Sequence, residues 1–141
     1  MNLPEKRIVE FIHQHHVLTL ATSVDNIPWC ANCFYIYLEE ENCFVFTSDD
    51  KTKHVQDVLI NTMVAGSVVL ETNTVGKIQG IQFRGTMEIP RNTLASTAKK
   101  AYLKRFPFAV LMKTSLWVLS PSHIKMTDNR LGFGKKLIWE K

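Results

Sequence analysis

The stretch WCANCFYIYLEEENCFVFTSDDKTKH, Trp29 to His54, reads as a strand, a hairpin connection, a return strand and the start of a helix. Side chains alternate across a strand. From Trp29 to Leu38 that places Cys30, Phe34, Ile36 and Leu38 on one face, and Ala31, Cys33, Tyr35 and Tyr37 on the other. Apolar and aromatic groups stand on both faces, so the strand is expected to have no fully wetted side. Glu39 to Asn42 makes the connection and Cys43 to Thr47 the return strand. Lys51 to Asn61 then shows Val55, Val58 and Leu59 at helical spacing.

The same reading extends in both directions. Pro4 suits the first turn of a helix, and Ile8, Phe11 and Ile12 continue it at helical spacing, giving a short amphipathic helix from Pro4 to His16. Val17 to Thr22 has strand composition, and Asp25-Asn26-Ile27-Pro28 is a turn. Beyond the central stretch, Met63 to Leu70 is a β-branched run, expected to be a buried strand. Lys77 to Ile89 alternates cleanly: Ile81, Phe83, Met87 and Ile89 point one way, Gln82, Arg84, Thr86 and Glu88 the other. Gly80 and Gly85 are candidate bulges in it. A basic helix, Asn92 to Arg105, stops before Pro107. Leu116–Leu119, His123–Thr127 and Lys136–Trp139 read as short strands. Many antiparallel strands with few short helices predict a closed or nearly closed antiparallel β-barrel, mainly β in class.

At 141 residues the chain has the size of one domain, taken as 1–141. Its 45% apolar and 21% charged residues are those of a globular protein. No apolar run approaches the ~18 residues of a membrane span, and the first residues lack an apolar secretion segment. Cys30, Cys33 and Cys43 cannot all pair within one chain, which suits a reducing, cytoplasmic compartment. Charge is uneven: residues 1–90 hold 6 basic and 11 acidic side chains, a net −5, whereas residues 91–141 hold 11 and 2, a net +9. Arg91 to Lys113 contains six basic residues and no acid, which raises nucleic acid as a partner. Charge of this kind speaks more to solubility and association than to function, so that partner is not expected.

Chemistry concentrates at Thr47–His54. A helix that begins after a strand offers unpaired N–H groups and the positive end of its dipole, which favour a phosphate. Thr47, Ser48 and Thr52 add hydroxyls, and Lys51 and Lys53 add charge. Residue types alone leave a second reading open, a plain helix cap in which Asp49 or Asp50 satisfies the amides. Cys30 and Cys33, three apart on a strand, project from opposite faces and form neither a metal site nor an unstrained disulfide. His13, His15 and His16 close the first helix, where histidine suits the dipole; His13 and His16 can share a face, and no third ligand for that pair is evident in the sequence. No catalytic constellation, glycine-rich phosphate loop or nucleophile elbow is present.

These motifs, in this order, resemble the FMN-binding split-barrel proteins of the pyridoxamine-phosphate-oxidase-like superfamily. Val17-Leu18-Thr19-Leu20-Ala21-Thr22, Asp25-Asn26-Ile27-Pro28, Phe44-Val45-Phe46-Thr47 with Lys51-Thr52-Lys53, and Val64-Ala65-Gly66-Ser67-Val68 carry the likeness. Gly80-Ile81-Gln82-Phe83-Arg84-Gly85, Arg105-Phe106-Pro107 and Leu131-Gly132-Phe133-Gly134-Lys135-Lys136 are similar to a small bacterial branch whose activity is not assigned.

The resemblance implies a six-stranded antiparallel split β-barrel forming a homodimer, with flavin sites at the interface. It implies that Thr47, Ser48, Lys51, Thr52 and Lys53 hold an FMN phosphate, that Asn32, Cys33 and Phe34 run beside the ring, and that Gln82 reaches the ring or ribityl chain. Two departures matter. The C-terminal arginine and histidine that hold the oxidase's substrate have no counterpart before Trp139-Glu140-Lys141, so pyridoxamine-phosphate oxidation is not expected. An arginine of the phosphate loop is replaced by threonine and lysines, which give charge without bidentate geometry. The expected function is FMN binding, with flavin-dependent oxidation or reduction of a small molecule as its extension. The alternative is a non-catalytic protein that sequesters flavin or haem, with His54 or an N-terminal histidine as axial ligand.

Overall fold

Asp25 and Asn26 both take left-handed backbone angles, φ 52° and 62°. That pair of angles makes the tight turn whose twist matches a β-hairpin, and Asp and Asn tolerate it better than other side chains. The turn joins β1 (Val17–Val24) to β2 (Ile27–Leu38), paired in register from Val17 opposite Phe34 to Val24 opposite Ile27. A computed structural model describes residues 2–141 of the chain. The remaining strands are β3 (Cys43–Ser48), β4 (Met63–Val69), β5 (Gln79–Glu88), β6 (Ser115–Asp128) and β7 (Lys136–Glu140). The helices are α1 (Lys6–Gln14), α2 (Lys53–Ile60) and α3 (Asn92–Arg105).

All strand pairs are antiparallel, in the order β3-β2-β1-β4-β5-β6-β7, and β3 also pairs with β6. That extra pairing closes six strands into a ring, with β7 added outside it. The six-stranded antiparallel barrel expected from the sequence is this ring. Its interior holds Leu18, Leu20, Tyr35, Phe44, Phe46, Ile81, Phe83, Met87, Leu119 and Ile124, all buried. Phe44 and Phe83 stack near the middle, ring centres 4.5 Å apart. Ile8, Phe11 and Ile12 of α1 join the core, and the Tyr35 hydroxyl donates to the Ile12 carbonyl at 2.7 Å.

Several boundaries differ from the sequence reading for identifiable reasons. The two short strands expected at Leu116–Leu119 and His123–Thr127 are one strand, β6. Its first half pairs with β3 up to Leu119, and from His123 its freed edge takes β7. Pro121 falls between those two partners, so its missing N–H costs no pairing there. Of the two candidate bulges, the register shifts at Arg84/Gly85, while Gly80 pairs regularly with Thr127. The strand expected to be buried at Met63–Leu70 hides Val64 and Val68, but Met63, Ala65 and Val69 face outward. Ile89, grouped with the inner face by alternation, lies past the end of β5 and is exposed.

Candidate functional site

β3 ends at Ser48, and the chain turns through Asp49 and Asp50 into α2. Thr52 caps this helix, its Oγ1 accepting from the Val55 N–H at 3.4 Å and donating to the Asp49 carbonyl at 2.7 Å. The Asp49 carboxylate accepts the Lys51 N–H at 2.8 Å. Thr52 therefore fills the cap position, and Asp49 closes a local turn one step before it.

Above this junction lies α3, which turns one side toward the barrel by burying Ala98 and Tyr102. The Tyr102 hydroxyl donates to the Phe34 carbonyl of β2 at 3.2 Å and accepts from the Thr47 hydroxyl of β3 at 3.4 Å. One phenol thus ties the helix to two strands. After Arg105 the chain cannot continue as helix, because Pro107 lacks an N–H, and Pro107–Leu111 forms a short 3-10 turn. Between this turn, the middle of β2 and the β3–α2 junction is a cavity of about 590 Å³.

Its wall is aromatic. Phe34 lies between His16, stacked at 6.0 Å and 6°, and Phe106, tilted at 5.7 Å; Phe106 in turn meets Tyr102 at 5.1 Å. Phe108 and Met112 complete the apolar side, and Arg105 stands beside Phe106 with its guanidinium carbon 4.9 Å from the ring centre. On the polar side Ser48 Oγ is 2.8 Å from His54 Nε2, and both side chains are buried. Burial pushes the Cys33 thiol up to about 11 against a hydrogen bond with Ser48, so it stays protonated. Burial likewise lowers His54, against the nearby charge of Asp57, and keeps the imidazole neutral near pH 7.

Of the residues expected to meet a ligand, the cavity brings together Asn32, Cys33, Phe34, Thr47, Ser48 and Thr52. Lys51, Lys53 and Gln82 stand outside it. Lys53 Nζ holds both oxygens of Asp57, at 2.9 and 3.2 Å, and lies 5.9 Å from the centre of the Trp29 ring. The Lys53 hydrogen bond first, then one from Thr22, keeps the Asp57 carboxyl below the usual carboxylate range. Gln82 lies on the outer face of β5 and lines a different cleft with Ser67 and Ile78. Sequence reasoning missed Tyr102, Arg105, Phe106 and Phe108. The motif Arg105-Phe106-Pro107 reads in the sequence as a helix stop and as part of the family likeness, without a role at the site; the fold carries it over the β3–α2 junction.

A second cleft, about 630 Å³, runs beside α1 past Arg7 and Arg130. Its cations already have partners: both arginines meet the buried Asp128, at 3.3 and 2.9 Å, and Lys6 meets Glu10. The aromatic cavity is the better candidate, because it gathers aromatic rings beside a cation, Arg105, that no described carboxylate pairs.

No protein-family model matches the chain. The UPF0306 protein plu4501 of Photorhabdus laumondii is 38% identical over 134 residues, 95% of this chain and 94% of its own length. A UPF0306 protein of Yersinia pseudotuberculosis is 38% identical over 143 residues, 100% of this chain and 97% of its own. Among solved structures, a heme-binding protein from Mycobacterium smegmatis superposes with a TM-score of 0.75 at 20% identity over 89% of this chain, which spans 52% of that protein. HutZ, the heme storage protein of Vibrio cholerae, gives 0.69 at 17% identity, covering 86% of this chain and 91% of its own. An FAD-binding protein from Mesorhizobium loti gives 0.68 at 12% identity, covering 89% and 95%. At these identities the likeness is one of fold, the split barrel of the pyridoxamine-phosphate-oxidase-like proteins.

Proposed function

The chain belongs to the UPF0306 family, and from that premise we propose that it binds a planar aromatic cofactor, foremost flavin mononucleotide, in the cavity beside Phe34. The single observation that carries this reading is the aromatic wall of Phe34, Tyr102, Phe106 and Phe108 around about 590 Å³ of space. Stacked and tilted aromatic side chains favour a flat conjugated ring and exclude water from it. When bound, a flavin would supply hydride or electron transfer; the chain's own task is to orient the ring and shield it. Cys33 stays a thiol and His54 a neutral imidazole, so neither of these two groups brings charge to the ring. A second reading is haem, favoured by the neutral His54 at the cavity and by the haem proteins of the same fold.

The working form is a homodimer with the ligand at its interface. The outward face of β2, β1 and β4 supports this. It presents Phe34, Val17, Met63 and Val69 and the small side chains of Cys30, Ala21 and Ala65, crossed by one polar row of Asn32, Thr19 and Ser67. Gln82 borders that face on β5, opposite Ser67.

Titration with FMN should quench flavin fluorescence stoichiometrically, and titration with haemin should shift its Soret band if haem is the ligand. Unchanged spectra for both at micromolar protein would overturn the reading. Reduction of bound flavin by NADPH would extend it to an oxidoreductase, whereas a stable complex that ignores NADPH would make it a carrier.

A further inference from the structure

Both candidate ligands carry an anionic tail, phosphate on a flavin mononucleotide and carboxylates on haem. We propose that Arg105, at the end of α3, receives this tail, and that Lys51 and Lys53 do not. The proposal rests on the ring-binding reading above and assigns the end of the ligand that reading leaves open.

Of the groups that the sequence offers for a phosphate, Lys51 stands outside the cavity and the others are already engaged. Thr47 donates to Tyr102, Thr52 donates to the Asp49 carbonyl, and Ser48 is held by His54. Lys53 is held by both oxygens of Asp57, a buried carboxylate that Thr22 also bonds, at 2.8 Å. Turning Lys53 toward the cavity would leave that buried charge without its counter-ion, a costly exchange. Asp49 lines the cavity at the α2 end and repels an anion placed there.

Arg105 has the opposite setting. It is the one Lys or Arg among the described residues that line this cavity, and no described carboxylate lies within ion-pair distance of it. Its guanidinium carbon lies over the Phe106 ring, 4.9 Å from the ring centre. Its N–H edge meets no described carboxylate, and that edge is the part that grips phosphate or carboxylate with two parallel bonds. The surrounding segment, Arg91 to Lys113, has no acidic residue to compete. A ring held against Phe106 therefore has a planar anion receptor on the adjoining residue.

The test compares ligands that differ only in the tail. Flavin mononucleotide and riboflavin share a ring, as do haemin and its dimethyl ester. Fluorescence and absorbance titrations at low salt should show the wild-type chain preferring the anionic member of a pair roughly tenfold. Arg105→Gln should remove this preference while leaving the uncharged member's affinity within about twofold. Lys51→Gln, and the paired variant Lys53→Gln/Asp57→Asn, which leaves no buried charge alone, should keep the preference. Added salt should shrink it in the wild type and not in Arg105→Gln. A preference surviving Arg105→Gln, or lost in either lysine variant, overturns the assignment. So does equal weakening of both members by Arg105→Gln, which would make the side chain a support for the ring. Failure of the wild type to bind any of the four compounds overturns the ring-binding reading itself.

Discussion

His54 and Tyr102 show how single side chains set the site. Burial lowers the pKa of His54, and of His15, below the ordinary 6.5. The unfolded chain then takes up protons that the folded chain refuses, so stability is complete above about pH 6.5 and falls as pH drops below it. Asp57 and Asp128 act lower down. Their pKa values lie below 3.8, held by Lys53 and Arg130 respectively, so their stabilisation is lost only as pH falls below that value. His54→Gln should therefore lose less stability than the wild type between about pH 7.5 and 5, by urea midpoint. An equal loss would assign that limb to His15. Tyr102→Phe removes the hydroxyl that bridges Phe34 and Thr47. It should lower stability by about 1 kcal/mol in urea denaturation and weaken ring binding, since α3 would lose its tie to β2 and β3.

At the scale of elements, β6 and its neighbour β5 carry the clearest lesson. Gly80 and Gly85 look alike in an alternating strand, yet only Gly85 sits at the register shift. A Cβ there would come within 2.8 Å of Pro121 Cα, backbone that cannot swing aside, whereas at Gly80 the nearest atom is 3.2 Å away. Gly85→Ala should cost about 2 kcal/mol or more, and Gly80→Ala clearly less, both read from thermal unfolding. Similar losses would mean that β6 yields at Pro121. Strand periodicity made the elements legible; the join of two short runs into β6 was not, because it depends on β3 and β7 taking successive halves of one edge. The same holds for α3. Its basic residues were plain in the sequence, but its few buried positions, Ala98 and Tyr102, gave no sign of which strands it would cover.

For the whole molecule, the ring of six strands leaves one broad sheet face uncovered, and its charge is divided between an acidic first part and a basic remainder. The wild-type chain should sediment at about twice its 16.2 kDa mass. Ala65→Arg, at the centre of the outward face, should give a folded monomer with weakened ligand binding. A monomeric wild type, or a dimer indifferent to Ala65→Arg, would move the interface elsewhere. Among the described residues no helix is long and apolar enough to cross a membrane.

What the sequence determined by itself was the alternation of β2 and β5, the strand composition of β1 and β4, the Asp25-Asn26 hairpin, the helix start after Thr47 and the likeness to split barrels. These depend on neighbours along the chain: side-chain period, turn chemistry and capping. The tertiary structure alone decided which polar groups face the cavity. Lys53 was an evident phosphate ligand until Asp57, one helical turn on and itself bonded by Thr22 of β1, claimed it. Arg105 was an ordinary helix-end residue until the fold set it beside Phe106 over the end of β3. A side chain's partner is a matter of distance in space, and only closure of the barrel brings α3 and the β3–α2 junction together.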